Sequence, residues 1–170
     1  MEQKKIFNIE FPKGDKIIFK KFFLLKEKRQ FKRALKLLDF LESIYKDSSV
    51  IYGLYGSIFY ELKDFKNSAM YFSKVISINP KSELASLGLF QSLVHLGKER
   101  KALKELFRYT DNYKPELYIV AIKELMEENI DGIGFNTDKK KIQNLYMKWC
   151  HLPSKSKSLH LLHTKSSLNK

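Results

Sequence analysis

The stretch YELKDFKNSAMYFSKVISINP, residues 60–80, carries the pattern that decides the fold. A helix-like run ends at Asn79-Pro80, because proline restricts the residue before it and cannot continue a helical hydrogen-bond ladder. Within the run, the small residue Ser68 stands four positions before Phe72, which places both on one face of a helix. A single helix of this kind fits many helical domains, so the decisive question is whether the pattern repeats.

The pattern does repeat, and its period is constant. A small residue recurs at equal separations and without an insertion, as Ala34, Ser68 and Ala102. Large apolar residues follow four and seven positions later, and they are Leu38 and Leu41, Phe72 and Val75, Leu106 and Tyr109. The small residue lets the second helix of a hairpin lie close to the first, while the large residues fill the space beside it. Such a period is typical of stacked helical hairpins.

This period and its residues resemble the tetratricopeptide repeat (TPR) family, whose repeat of about 34 residues has the pattern W-x2-L-G-x2-Y, then A-x3-F, then P. In the middle repeat, residues 49–82, the corresponding residues are Tyr52, Tyr55, Gly56, Phe59, Ser68, Phe72 and Pro80. The first repeat, residues 15–48, matches in its second helix, and the third, residues 83–116, has Phe90 where a small residue is expected. The resemblance implies an all-α fold, a right-handed α-solenoid of about three TPR-like hairpins plus C-terminal capping helices.

The chain divides into three predicted segments. They are an N-terminal arm (residues 1–14), a helical repeat domain with capping helices (15–151) and a disordered basic tail (152–170). The segment KPELYIVAIKELMEENI begins in phase with a further first helix, DGIGFNTD interrupts it, and KKKIQNLYMKWCHL predicts a closing helix. A closing element is expected because a solenoid needs an atypical last unit to cover its exposed face.

The composition favours packed helices with a basic surface. Among 170 residues, 13 Phe and 9 Tyr against 7 Gly and 4 Pro argue against a turn-rich β fold. The net charge of +13 favours acidic partners or phosphate backbones. The sequence has no apolar stretch long enough for a membrane span and no apolar signal-peptide core, and it has the single cysteine Cys150. We therefore expect a cytoplasmic protein without a membrane partner.

Catalytic and metal-binding patterns are not found. The GIG at 132–134 lacks the strand-to-helix setting of a phosphate loop, and the oxygens of DGIGFNTD do not follow the calcium-loop alternation. Cys150 and three histidines, His151, His160 and His163, do not have the spacing of a zinc site. No nucleophile, base and acid can be argued from spacing, so we expect no cofactor, no metal and no enzymatic activity.

The resemblance implies a partner-binding wall formed mainly by the first helix of each hairpin, at repeat positions 2, 5, 9, 12 and 13. We call the residues at these positions the A-helix wall. In the first repeat positions 5, 9, 12 and 13 contribute Phe19, Phe23, Lys26 and Glu27; in the middle repeat all five contribute, as Val50, Gly53, Ser57, Tyr60 and Glu61, and in the third as Leu84, Leu87, Gln91, Val94 and His95. The family's Lys, Asn and Arg clamp for a C-terminal carboxylate is missing, because its places hold Phe19, Phe23, Leu54, Leu84 and Gly88. An amphipathic helix or an extended apolar segment is the ligand that such a wall suits.

The function implied by the resemblance is that of a binding module with a dedicated protein partner. Small TPR-like proteins of one class neutralise a toxin by covering it, as immunity proteins do, and those of another escort secretion substrates. The third repeat is more similar to the first class, and the basic charge then implies an acidic face on the toxin. The contrasting hypothesis is an RNA-associated protein that uses the basic clusters KEKRQFKRALK and GKERKALK. The sequence leaves the oligomeric state open.

Overall fold

Eight helices make up all of the regular structure in the part of the chain that the computed structural model describes, residues 15–127 and 139–150. The all-α prediction is confirmed for these residues. The helices are α1 (Asp15–Glu27), α2 (Phe31–Ile44), α3 (Ser49–Glu61), α4 (Phe65–Ile78), α5 (Glu83–His95), α6 (Glu99–Asn112), α7 (Tyr118–Glu127) and α8 (Lys139–Trp149). The predictions for the arm (1–14), the loop DGIGFNTD (131–138) and the tail (152–170) lie outside the described residues.

The first six helices repeat with the period that the sequence has. The helices α1, α3 and α5 each contain 13 residues, and α2, α4 and α6 each contain 14 residues. Within each set the helices begin at equal intervals, and the interval is the one that separates Ala34, Ser68 and Ala102. Each helix from α1 to α5 packs against the next one along the chain, α3 also contacts α5, and α7 packs against α8. Sequence-adjacent helices are therefore also neighbours in space.

The three turns that join α1 to α2, α3 to α4 and α5 to α6 have the same geometry; each such helix pair is called a hairpin below. One residue in each turn, Arg29, Lys63 or Gly97, has a left-handed backbone, with φ of 54°, 60° and 65°. The following N–H donates to a carbonyl five residues earlier, from Gln30 to Leu25 at 2.8 Å, from Asp64 to Phe59 at 2.9 Å and from Lys98 to Leu93 at 2.9 Å. This is the Schellman helix end, which favours glycine because glycine has no Cβ. The two turns without glycine each accept a cost of about 1 kcal/mol.

The ring of Phe72 on α4 lies between the backbones of α3 and α5. A Cβ atom built on Gly56 of α3 would lie 2.9 Å from Phe72 Cε1, and one built on Gly88 of α5 would lie 2.5 Å from Phe72 Cε2. Real Cβ atoms do not approach other atoms so closely, so both glycines are needed for the ring to fit. The middle hairpin and the third are thus joined through one aromatic side chain.

The small residues predicted at the helix crossings, Ala34, Ser68 and Ala102, are all fully buried. The Ser68 hydroxyl donates to the Gly56 carbonyl at 3.0 Å and shares a hydrogen bond of 2.9 Å with the buried hydroxyl of Ser92 on α5. A serine is tolerated in this position because its only polar atom has partners on both neighbouring helices.

The third hairpin accommodates Phe90 at the position where a small residue was expected. Phe90 is buried, and its ring meets the ring of Tyr118 on α7 edge to face, with centroids 5.8 Å apart. The departure from the repeat pattern therefore coincides with the contact to α7, the helix that follows the last regular hairpin.

Two glycine-to-alanine substitutions test this account of the helix packing. One adds a methyl group where the Phe72 ring leaves no space, and the other adds it at an ordinary distance from Val75. We expect Gly88→Ala to lower the free energy of unfolding by about 1–3 kcal/mol, because the new methyl group overlaps the Phe72 ring. We expect Gly53→Ala on α3 to raise it by about 0.5–1 kcal/mol, because the nearest atom to its Cβ is Val75 Cγ2 at an ordinary 3.9 Å and alanine favours the helix.

Chemical denaturation of both variants measures the two effects. Combining Gly88→Ala with Phe72→Leu provides the control, since the smaller side chain should recover part of the loss. Equal effects of the two alanine substitutions would contradict this account of the helix packing.

Candidate partner-binding wall

The A-helix wall contains three exposed apolar side chains. Phe23 on α1 is 38% exposed, and Leu84 and Val94 on α5 are 47% and 36% exposed. The exposed members also include Glu27, Glu61 and His95, whereas Lys26, Val50, Gly53, Ser57, Tyr60 and Gln91 are partly buried. These twelve residues remain the candidate surface.

Two residues of the predicted wall belong to the core. Phe19 is buried in the cluster formed chiefly by α1 to α4, and Leu87 is buried in the cluster formed by α5 to α8. Both stand at repeat position 5, where the middle repeat has Gly53. A side chain at this position points between the helices, so the prediction that Phe19 and Leu87 contact a partner is corrected.

A polar contact joins α1 to α3 on the wall. Lys26 Nζ donates to Ser57 Oγ at 2.7 Å and lies 2.8 Å from Glu61 Oε1. The two charged side chains are partly exposed, so the pair contributes at most about 1 kcal/mol to stability. The pair also affects ligand binding, because Lys26 is already engaged and is not free to attract an anionic ligand.

A second contact joins α3 to α5 at the equivalent repeat positions. The Tyr60 hydroxyl and His95 Nε2 are 3.1 Å apart, at hydrogen-bond distance. The His95 ring also stacks on Phe65 of α4, with centroids 4.1 Å apart and planes at 10°. Burial raises the pKa of Tyr60, which keeps its hydroxyl protonated.

These two contacts share one register. Lys26 and Tyr60 stand at repeat position 12, and their partners Glu61 and His95 stand at position 13 of the following repeat. Two contacts thus connect polar groups of neighbouring first helices, and the exposed side chains beside them include the apolar Phe23, Leu84 and Val94.

Phe65 contacts two members of the A-helix wall although its own position is outside the register that defines the wall. It belongs to α4, yet its ring stacks on His95 and also meets the Tyr60 ring edge to face, with centroids 5.4 Å apart. The available sequence signal was a phenylalanine three residues before the small residue in two repeats, Phe31 and Phe65. That signal predicts an aromatic residue at the helix start without predicting which neighbour it contacts.

A buried polar network lies elsewhere, where α7 meets α5 and α6. Glu105 accepts hydrogen bonds from Ser86 and, through both oxygens, from Arg108 at 2.7 and 2.8 Å, while Ser86 also bonds to Tyr118 at 2.9 Å. Glu83 Oε1 accepts three backbone N–H groups at the start of α7, from residues 116, 117 and 118, at 2.7 to 2.9 Å. Both carboxylates are occupied with holding helices together, which is a structural role.

Other chemical groups were sought in residues 15–127 and 139–150. These ranges contain no group of three or more His, Cys, Asp or Glu residues that could hold a metal ion. Burial raises the pKa of the Cys150 thiol, which disfavours the reactive thiolate. Among the helices of the same ranges, none is long and apolar enough to cross a membrane.

Tyr109 of α6 provides a test of the packing around α7 at high pH. Burial and the nearby Glu83 carboxylate raise its pKa from 10.0 to about 12. A raised pKa in the folded state means that its contribution to stability is complete below pH 10 and is lost as the pH rises from 10 towards 12. We expect the difference in free energy of unfolding between the wild type and Tyr109→Phe to fall over this interval.

Chemical denaturation at several pH values measures that difference. Ionisation at other residues affects the wild type and Tyr109→Phe alike, so it cancels in the comparison. A difference that stays constant up to pH 12 would contradict the raised pKa.

Known proteins provide no independent guide to this surface. Comparison of the chain with protein-family models, with curated proteins and with solved structures found no match. The TPR resemblance therefore rests on the residues of the repeat, and the function drawn from it is a proposal.

Proposed function

We propose that this chain is a non-catalytic binding module, a TPR-like right-handed solenoid whose A-helix wall takes a dedicated protein partner. The observation that carries the proposal is that two polar contacts already engage Lys26 and Tyr60, while apolar side chains beside them are exposed. Lys26 is occupied by Ser57 and Glu61, and Tyr60 by His95, while Phe23, Leu84 and Val94 stay exposed.

An apolar ligand fits this arrangement better than a charged one. A free carboxylate or phosphate would have to compete with Glu61 for Lys26, whereas an apolar side chain can cover Phe23 or Val94 without breaking an existing bond. The partner we propose is therefore an amphipathic helix or an extended apolar segment of another protein.

As the biological role we propose neutralisation of a toxin that has an acidic region around its apolar contact. The net charge of +13 speeds the encounter with an acidic partner, because long-range attraction raises association rates. Escort of a secretion substrate would use the same wall and differs only in the identity of the partner.

Affinity purification from source cells with matched variants tests the wall. We compare the wild type with Phe23→Glu/Val94→Glu on the wall and with Phe40→Glu/Ile78→Glu, a control that changes two exposed apolar residues on α2 and α4 by the same charge. We expect one stoichiometric, nuclease-insensitive protein to be captured by the wild type and the control and lost from the wall variant.

The dissociation constant of the captured protein then gives the size of the effect. We expect the wall variant to bind at least about tenfold more weakly, equivalent to about 1.4 kcal/mol, and the control to bind like the wild type. Equal weakening by both variants, or a partner retained by the wall variant, would contradict binding at the A-helix wall.

A further inference from the structure

A second surface lies on the second helices of the hairpins, α2, α4 and α6, and on the turns before them. Four repeat positions define it, one in the turn (15) and three on the helix (18, 19 and 22). The residues are Arg29, Lys32, Arg33 and Lys36 in the first hairpin, Lys63, Lys66, Asn67 and Met70 in the second, and Gly97, Arg100, Lys101 and Lys104 in the third. We call this set the basic face.

The basic face carries charge of one sign. Nine of its twelve residues are basic and none is acidic, and all except the partly buried Asn67 are exposed. The helix positions have the i, i+1 and i+4 spacing that places them on one side of a helix, away from the buried small residues Ala34, Ser68 and Ala102. The same side is thus presented by each of the three hairpins.

The nine cations of the basic face are not neutralised within the described ranges. The ion pairs that join described residues involve Lys26, Arg108 and Lys141, which are not members of the face. Arg33 donates a hydrogen bond to the neutral Gln30 at 2.7 Å, and the nearest acid in the middle turn, Asp64, is engaged with Asn67. An exposed surface with this much unpaired charge of one sign attracts a polyanion.

Two of the cations occupy positions where the backbone favours glycine. Arg29 and Lys63 have φ of 54° and 60°, whereas the third hairpin has glycine at the equivalent position. Glycine at either position would relieve the left-handed strain, so a basic side chain there lowers the stability of the fold. Strain that persists in an exposed turn is a reason to look for a use of the side chain.

We propose that the basic face binds the phosphate backbone of a nucleic acid without reading its bases. Exposed cations that recur at equivalent positions of three helices, in a chain with a pI of about 9.6, have the charge pattern of nucleic-acid binding. The twelve positions include no aromatic residue on which a base could stack, so contact is with phosphates. A nucleic acid presents its charges along one continuous line and can meet all three hairpins together, whereas a folded acidic protein needs carboxylates at matching places.

This inference goes beyond the protein-binding function and does not depend on it. The basic face belongs to the second helices and their turns, whereas the wall belongs mainly to the first helices. A nucleic acid and a protein partner can therefore be tested separately, with variants that leave the other surface intact.

Fluorescence anisotropy with labelled oligouridylate and oligoadenylate of equal length tests the proposal. The row variant Lys32→Glu/Lys66→Glu/Arg100→Glu changes repeat position 18 in all three hairpins. The control Lys46→Glu/Lys81→Glu/Lys114→Glu makes the same change of net charge at exposed residues on the turns between hairpins. Unlabelled polyglutamate serves as the competitor that represents an acidic protein surface.

We expect the wild type to bind both oligonucleotides with similar affinity and the row variant to bind at least about tenfold more weakly at low salt. The slope of log Kobs against log salt should be smaller by about 2 in the row variant, since three phosphate contacts on a single strand are lost. The control should stay close to the wild type.

A second variant separates binding from stability. Arg29→Gly/Lys63→Gly should raise the thermal unfolding midpoint by several degrees, because it relieves two left-handed residues, while it weakens oligonucleotide binding. Lower affinity in a more stable protein cannot result from partial unfolding.

Three results would overturn the proposal. Equal loss of affinity in the row variant and the control would show that net charge alone attracts the probe. Competition by polyglutamate at concentrations comparable to those of oligouridylate would assign the basic face to an acidic protein instead. Failure of the wild type to bind either oligonucleotide at low salt would exclude a phosphate ligand, whatever the outcome at the A-helix wall.

Discussion

The insertion of the Phe72 ring between Gly56 and Gly88 is the contact on which the helix arrangement depends. One ring touches two neighbouring first helices at once, so it fixes how close α3 and α5 lie. That separation in turn allows the Tyr60 hydroxyl to reach His95, and the hydrogen bond between Ser68 and Ser92 to form beneath them. A larger residue at either glycine would separate the helices, and the polar contacts of the wall would lengthen with them.

Much of the fold could be predicted from the sequence because it follows from local spacing. The constant repeat period, the small residues at the crossings and the stop at Asn79-Pro80 each act within one hairpin, and helices α1 to α6 have the corresponding bounds. Residues whose contacts lie in another repeat were harder to interpret. From its repeat position, Gly88 could be identified only as one of the places where the family's carboxylate clamp is missing. Its importance for helix packing comes from the Phe72 ring on α4, in the preceding repeat.

The candidate site was less predictable than the fold, for a similar reason. Register places a residue on a side of its helix, but burial also depends on the size of the residues across the gap. Phe19 and Leu87 share a register position with Gly53 and fill the space that glycine leaves open. The network around Glu105 and the three backbone bonds to Glu83 were missed as well, because an acidic residue on a helix is usually solvated and the partners of these two include residues at the start of α7.

The pairing of charges also explains how one small chain can present two different surfaces. On the A-helix wall Lys26 has its partners Ser57 and Glu61 on α3, so its charge is balanced by a neighbouring carboxylate. On the basic face none of the nine cations forms an ion pair with another described residue, so their field extends into solvent for about a Debye length. The repeat register contributes to the difference, since Lys26 at position 12 meets Glu61 at position 13 of the next repeat, whereas the cations at positions 18, 19 and 22 are exposed. A periodic scaffold can therefore separate an apolar contact from an electrostatic one without a second domain.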